Sequence, residues 1–384
     1  MKEYFYKKQY KYLYLGSISY NLANALIQIF GTVMLYKNGI PIWLILLIYG
    51  LRFGITGLCT PLFVTISSKF GIAKCILISN VFNIISTYMM LNETNLYKNI
   101  IIFIIVMGFM GLSNPSSDAL SSKYVDTIHR GRYNSFINIT KILGSAIASC
   151  FVAWGVLSNN NIILFIVISF FFLLHYIFIK QIDYKPENKI NAFKECMKYI
   201  FTTKSKYKII YALRTNHIIE RQFVPLYLYI ILDDFLAFSS ITILSLLLQT
   251  ITIILIGKYS DKNISKSNSL VSTIKTVITG VFLFAKDNIA ISFNKVLNDN
   301  FEKVYETSIQ TSIQNIIKES KENNELLSAI GQISLCFTEV IVFGILALIS
   351  KFTGESIFIV IFILSIISSI LINVNIKNHI SKEN

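Results

Sequence analysis

Four sets of polar side chains recur at the three-and-four spacing of a helix face. Ser17, Asn21, Asn24 and Gln28 stand 4, 3 and 4 residues apart, and Asn114, Asp118 and Ser121 stand 4 and 3 apart. Arg214, His217 and Arg221 are separated by 3 and 4, with Glu220 beside the last. Lys295, Asp299, Glu302 and Glu306 are separated by 4, 3 and 4, with Lys303 alongside. Residues so spaced share one side of a helix. Amides, guanidiniums, ammoniums and carboxylates aligned in this way can bind and orient a small polar solute or hand on a proton. Neither task needs a nucleophile.

The helices that must carry these stripes are apolar. Of 384 residues, 54% are hydrophobic and 15% charged, and the mean hydropathy is +0.59. A soluble chain carries about a quarter of its residues as charges. Runs of about twenty apolar residues, the length that crosses a bilayer as a helix, recur at roughly 12–36, 42–66, 72–91, 99–121, 134–157, 161–180, 208–232, 236–259, 267–285, 287–310, 326–350 and 355–376. Their continuity excludes the ten-residue alternation of a barrel. The first run is too long, and lacks the cleavage site, for a removable signal. The expected fold is therefore all-α: a polytopic membrane protein with twelve transmembrane helices.

Lysine and arginine are distributed unevenly over the connecting segments. With the N-terminus placed in the cytoplasm, 24 fall inside and four outside (Lys37, Lys98, Lys286 and Lys351). That asymmetry predicts both termini cytoplasmic in a multi-pass protein of the cell membrane. The net charge of +14 is then a collar facing anionic lipid. No basic stripe is interleaved with exposed aromatics, so nucleic acid is not an expected partner. The five cysteines form no C-x-x-C pair and the four histidines are isolated, so no cofactor or metal is expected.

The one long hydrophilic stretch divides the chain into an N-terminal six-helix bundle (1–180), a cytoplasmic linker (181–207) and a C-terminal six-helix bundle (208–384). Part of the linker, Ala192–Phe201, reads equally as an amphipathic surface helix or a solvated strand of chain. The two halves echo each other: Lys69 in the loop after the second span and Lys262 after the eighth lie 193 residues apart, half the chain. Around them stand Ser68, Lys69 and Gly71 in the first copy, and Gly257, Asp261 and Lys262 in the second. Two six-helix halves with a loop of this G-x-x-x-D-[RK]-x-G-[RK] type resemble the major facilitator superfamily. The resemblance implies two pseudo-symmetric six-helix bundles and a gating role for Lys69, Asp261 and Lys262. It also implies that helices 1, 4, 7 and 10, the four that bear the polar stripes, line a central cavity.

Ionisable groups at bilayer depth cost at least about 2.5–3.5 kcal/mol each and normally face water or a partner. Arg52, near the middle of the second span, is expected at a cavity or gate. Asp118 is either a gate residue or a simple partner of Lys69 or Arg130; Arg214 either lines the cavity or snorkels; Lys141 admits both kinds of role. Lys295, Asp299 and Lys303 are spaced for an internal ladder of ion pairs. Glu302 and Glu306 repel across one turn, and Glu339 has no partner in sequence, which makes these three the candidate proton sites. Lys275 in the ninth span is expected to snorkel. Pro115 and Pro225 loosen the fourth and seventh helices, and Gly50, Gly54 and Gly57 allow close helix approach.

No Walker A motif, Ser-His-Asp set or H-E-x-x-H sequence is present, so an enzyme is not expected. The leading reading is a monomeric secondary active transporter working by alternating access. Its solute, anionic or zwitterionic, would meet Asn21, Asn24, Gln28, Arg52, Asn114, His217, Arg221, Lys295 and Asp299. Proton coupling would run through Glu302, Glu306 or Glu339, and Lys69, Asp118, Asp261 and Lys262 would gate. The alternatives are a multidrug exporter and a non-transporting receptor or scaffold of the same fold.

Overall fold

The computed structural model describes residues 8–92, 96–125, 133–144, 161–182, 206–232, 264–285, 287–319 and 324–380, with scattered helical positions between 194 and 249. Along these stretches the chain forms α1 (Lys8–Lys37), α2 (Ile42–Phe70), α3 (Ile72–Asn92), α4 (Leu96–Met110), α5 (Ser113–Tyr124), α6 (133–144), α7 (Asn161–Lys180) and α8 (Lys206–Leu232). They continue with α9 (Ile264–Val281), α10 (Asn288–Glu319), α11 (Asn324–Thr353) and α12 (Ile357–Ile380). Each follows an expected span; α4 and α5 together make the fourth, and described positions between 240 and 249 are helical within the eighth.

Among the described residues, four stretches are long and apolar enough to cross a membrane: Ile42–Phe70, Ile72–Leu91, Tyr97–Tyr124 and Leu326–Val374, the last containing both α11 and α12. The helices α1, α8 and α10 carry the polar stripes, which lower their hydropathy without exposing them to lipid. Outward faces stay apolar: Ile162, Ile166, Phe170, Leu173 and Ile177 on α7, and Ile359, Ile363, Ile367, Ile370 and Val374 on α12, are exposed at helical spacing. An apolar stripe outside and polar groups within is the inverse of a soluble bundle.

Local sequence explains the turns. Gly71 has φ +85, a conformation costly for any other residue, and lets α2 reverse into α3 within one position. The fourth span breaks at Gly111 and Leu112 because Pro115 supplies no N–H to the preceding turn. Side chains of neighbouring helices take over the freed carbonyls: Thr56 donates to Gly108 O and Ser79 to Met110 O, the latter at 2.6 Å. The other proline expected to loosen a helix, Pro225, is accommodated inside an unbroken α8.

Packing joins α1 to α7, α3 to α4 and α7, and α8 to α11 and α12, while α9 lies between α10 and α12. The halves meet along a seam of α2 on α11. Gly50, Gly54 and Gly57 lie against Phe343, Val340 and Cys336, so close that an added Cβ would stand 2.9, 3.2 and 2.9 Å from them. Tyr49, Phe53, Phe223 and Phe343 then fill the end of the bundle where α2 begins. Gly57→Ala should therefore cost about 1–3 kcal/mol by overpacking, read as a lower thermal midpoint in detergent. Gly344→Ala, whose Cβ meets nothing within 4 Å, should leave the midpoint unchanged or raise it. Equal midpoints for Gly57→Ala and the native chain would show that the seam is not tightly packed.

Candidate functional site

A cavity of about 280 Å³ opens between the halves. Asn21 and Asn24 of α1, Arg52 of α2, Asn114 and Asp118 of the broken fourth helix, Arg214, His217 and Arg221 of α8, and Glu306 of α10 all line it. The stripes of the first, fourth, seventh and tenth spans thus converge on one space. Their roles divide, however. Asn114 is exposed within the bundle. Asn21 is turned onto α6, donating to Thr140 Oγ1 at 3.0 Å and Ile137 O at 3.2 Å. Arg52 lies with its guanidinium 4.9 Å from the Phe53 ring centre, where a cation gains from the ring face.

Sequence reasoning placed α6 and singled out Lys141, and missed the polar stripe to which Lys141 belongs. Asn134, Asn138 and Lys141 stand 4 and 3 apart, the same signal as the other stripes, and all three line the cavity. They bind across the halves. Asn134 Nδ2 donates to Thr311 Oγ1 at 3.0 Å and Gln314 Oε1 at 2.9 Å, Asn138 Nδ2 donates to Thr307 Oγ1 at 2.7 Å, and Lys141 Nζ reaches Glu306 Oε1 at 3.1 Å. Asp118 belongs to the same latch. It accepts from Tyr211 at 3.0 Å and Gln310 at 2.6 Å, and Gln314 donates to Ser121 at 2.8 Å. The expected pairing of Asp118 with Lys69 is corrected: Lys69 is exposed in the last turn of α2, and helices of the other half reach Asp118 first. Arg130, Asp261, Lys262 and the linker stretch 192–201 fall largely or wholly outside the described residues, as do the side chains of Gln28 and Lys303.

Lys295 and Asp299 do not line this space. They pair with each other across one turn, and Ser245 donates to Asp299 at 2.8 Å. The expected ladder therefore begins, and its first rung satisfies both charges locally. Glu306 faces two cations, Lys141 at 3.1 Å and Arg221 at 3.4 Å. Glu339 is fully buried behind the wall, with no hydrogen-bond partner on either oxygen, within electrostatic reach of Arg52, Arg214 and Arg221.

Lys275 does not snorkel. It is 0% exposed, and its ammonium lies 2.6 Å from Glu220 Oε1 and 2.7 Å from Asn298 Oδ1. Asn298 Nδ2 also donates to Glu220 at 3.0 Å, and Ser365 of α12 donates to the other Glu220 oxygen. The reason is placement: mid-way along α9 the side chain faces α8 and α10, where a buried carboxylate is nearer than any headgroup. The sequence put Glu220 beside Arg221 and gave no sign that its partner came from the ninth span.

The sequence matches the family description Major Facilitator Superfamily over residues 13–292. The chain belongs to the major facilitator superfamily. Among curated protein sequences none matches it. Among solved structures, the human organic anion transporter MFSD10 (TETRAN) superposes with a TM-score of 0.67 at 11% identity, over 96% of this chain and 99% of that one. A bacterial homologue of the iron transporter ferroportin in an outward-facing state gives 0.66 at 13%, over 97% and 99%. The same homologue with soaked iron gives 0.64 at 13%, over 95% and 98%. At these identities the likeness speaks for the fold, the superfamily's two pseudo-symmetric bundles of six transmembrane helices. Family and fold together support a membrane transporter.

Removing one partner of a buried ion pair costs about 3–5 kcal/mol. Lys275→Met should therefore lower the thermal midpoint steeply, and adding Glu220→Gln should restore most of the loss. Two independent losses that simply add would show that the pair does not act as a unit.

Proposed function

We propose that this superfamily member is a secondary active transporter that carries a small anionic or zwitterionic solute across the cell membrane by alternating access, with proton coupling. The observation that carries the reading is the charge of the lining. Arg52, Lys141, Arg214 and Arg221 face the space against two carboxylates, Asp118 and Glu306. Two excess cations on the lining, with the balancing carboxylates buried behind it, attract an anion and repel a hydrophobic cation. The amides of Asn24 and Asn114 offer both donors and acceptors for its remaining polar groups. MFSD10 is described as an organic anion transporter, which agrees with this reading; the ferroportin homologue, equally similar, is described by another cargo.

In this proposal the two bundles, 1–180 and 208–384, rock against each other, with 181–207 as a cytoplasmic linker and both termini in the cytoplasm. The latch between α5, α6, α8 and α10 closes the cytoplasmic end, and the aromatic cluster of Tyr49, Phe53, Phe223 and Phe343 closes the other. A hydrogen bond to a charged group contributes about 1.5–3 kcal/mol. Arg52→Gln and Arg221→Gln should therefore each slow uptake of the best substrate in an organic-anion panel roughly ten- to hundred-fold in proteoliposomes, with folding intact. Asn138→Cys combined with Thr307→Cys should give a disulfide that halts flux until it is reduced. Undiminished flux in both arginine variants removes the anion site, and undiminished flux through the cross-linked protein removes rocking at this latch.

A further inference from the structure

Two charge clusters meet on α10. At the cavity wall, Lys141 and Arg221 hold Glu306. One turn away, Glu302 stands 3.8 Å from both Lys275 Nζ and His217 Nε2, and Lys275 is clamped by Glu220. His217 aside, three cations (Lys141, Arg221 and Lys275) thus face three carboxylates (Glu306, Glu302 and Glu220). Asp118 and Glu339 are matched in number by Arg52 and Arg214, and Lys295 pairs with Asp299. Among the described side chains of the bundle interior, charge balances one for one.

An anion that draws on Arg221 or Lys141, the two lining cations that hold Glu306, takes a counter-charge from this group. Glu220 and Glu302 are then opposed by Lys275 alone, one negative charge in excess, at positions almost wholly out of water. Buried charge without a partner costs several kcal/mol, and a group so placed acquires a counter-charge instead. The geometry says where. Glu302 Oε1 and His217 Nε2 are both buried without a hydrogen bond and lie 3.8 Å apart. A shift of under an ångström, with one proton between them, would satisfy both. A metal ion would need several oxygens, and those of Glu220 and Asn298 are already engaged by Lys275, Thr279 and Ser365.

We propose that Glu302 and His217 form a one-proton site that fills when an anion occupies the cavity, with the Lys275–Glu220 clamp fixing the charge count that makes it necessary. His217 lines the cavity, so its ring is the path by which the proton passes from cavity water to the carboxylate. The Tyr305 ring, edge-on with centres 5.0 Å apart, steadies the imidazole. The inference rests on the anion-carrier reading and deepens it: anion and proton travel together, one for one.

The test uses the purified full chain in detergent and sulfate, a divalent anion that does not titrate near neutral pH. Sulfate binding is followed by thermal shift, and proton uptake by an indicator dye in weakly buffered solution. The native protein should take up one proton per bound sulfate. Glu302→Gln should bind sulfate without uptake, and Glu339→Gln should keep it. Binding without uptake in the native protein, or uptake that depends on Glu339 and survives Glu302→Gln, overturns the proton site alone. Absence of sulfate binding in the native chain counts against the anion cavity itself, and a ligand-free arm then decides the proton site. Arg221→Gln imitates the bound state by deleting a wall cation. Its thermal midpoint should fall as pH rises, because the shared proton is lost and a buried negative charge remains. Adding Glu302→Gln should flatten that slope; an equal slope in the double variant overturns the proposal.

Discussion

A charge within this bundle is tolerated only where another charge or a polar partner answers it. Hydrocarbon offers no solvation, so each ionisable group in the described interior is paired, wet, or set in the field of opposite charges. Lys275, Glu220 and Asn298 satisfy one another inside the C-terminal half. Glu306 is held from both halves at once, by Lys141 and Arg221. That second arrangement differs in kind, because separating the halves would break one of its bonds. A pair inside one bundle fixes the bundle, whereas a pair between bundles makes their separation depend on what else can neutralise the ions.

The two surfaces proposed to close follow different chemistry for the same reason. The aromatic cluster around Tyr49, Phe223 and Phe343 gains from contact and loses little on parting where lipid or its own rings can cover it. The latch of Asn134, Asn138, Asp118 and Gln314 consists of neutral and charge-assisted hydrogen bonds that water can replace. An end sealed by replaceable hydrogen bonds opens to water cheaply. Beside both runs the glycine seam of α2 on α11, where the halves pack most tightly and which would keep them in register in the proposed rocking.

Much of this was legible in the sequence because its cause is local. Span length, the inward stripe and the loop glycine Gly71 are set by bilayer thickness, helix period and backbone sterics, and each can be read residue by residue. Asn134, Asn138 and Lys141 carried the same periodic signal, overshadowed by the stronger charges of other helices. What could not be read was pairing. Lys275 meets Glu220 across 55 positions and Asp118 meets Gln310 across 192, and no spacing rule reaches so far. Lys295 and Asp299 show the converse: their helical spacing predicted a pair, and that pair satisfies both charges away from the cavity.

Charge balance also bears on why the cavity is mixed rather than purely basic. Four cations alone would bind an anion tightly and hold it, since the energy gained on entry is owed again on exit. Glu306, set between Lys141 and Arg221, competes with the solute for both. On the anion-carrier proposal, an arriving anion would exchange one carboxylate for another, and the net gain would be the difference between two similar interactions. In the proposed carrier, binding would be shallow enough to reverse within a transport cycle, while the displaced Glu306, one turn from Glu302, would carry word of occupancy into the buried cluster. Under that proposal, specificity for charge, moderate affinity and a route for coupling would all follow from one acidic side chain placed where a further cation would have made a trap.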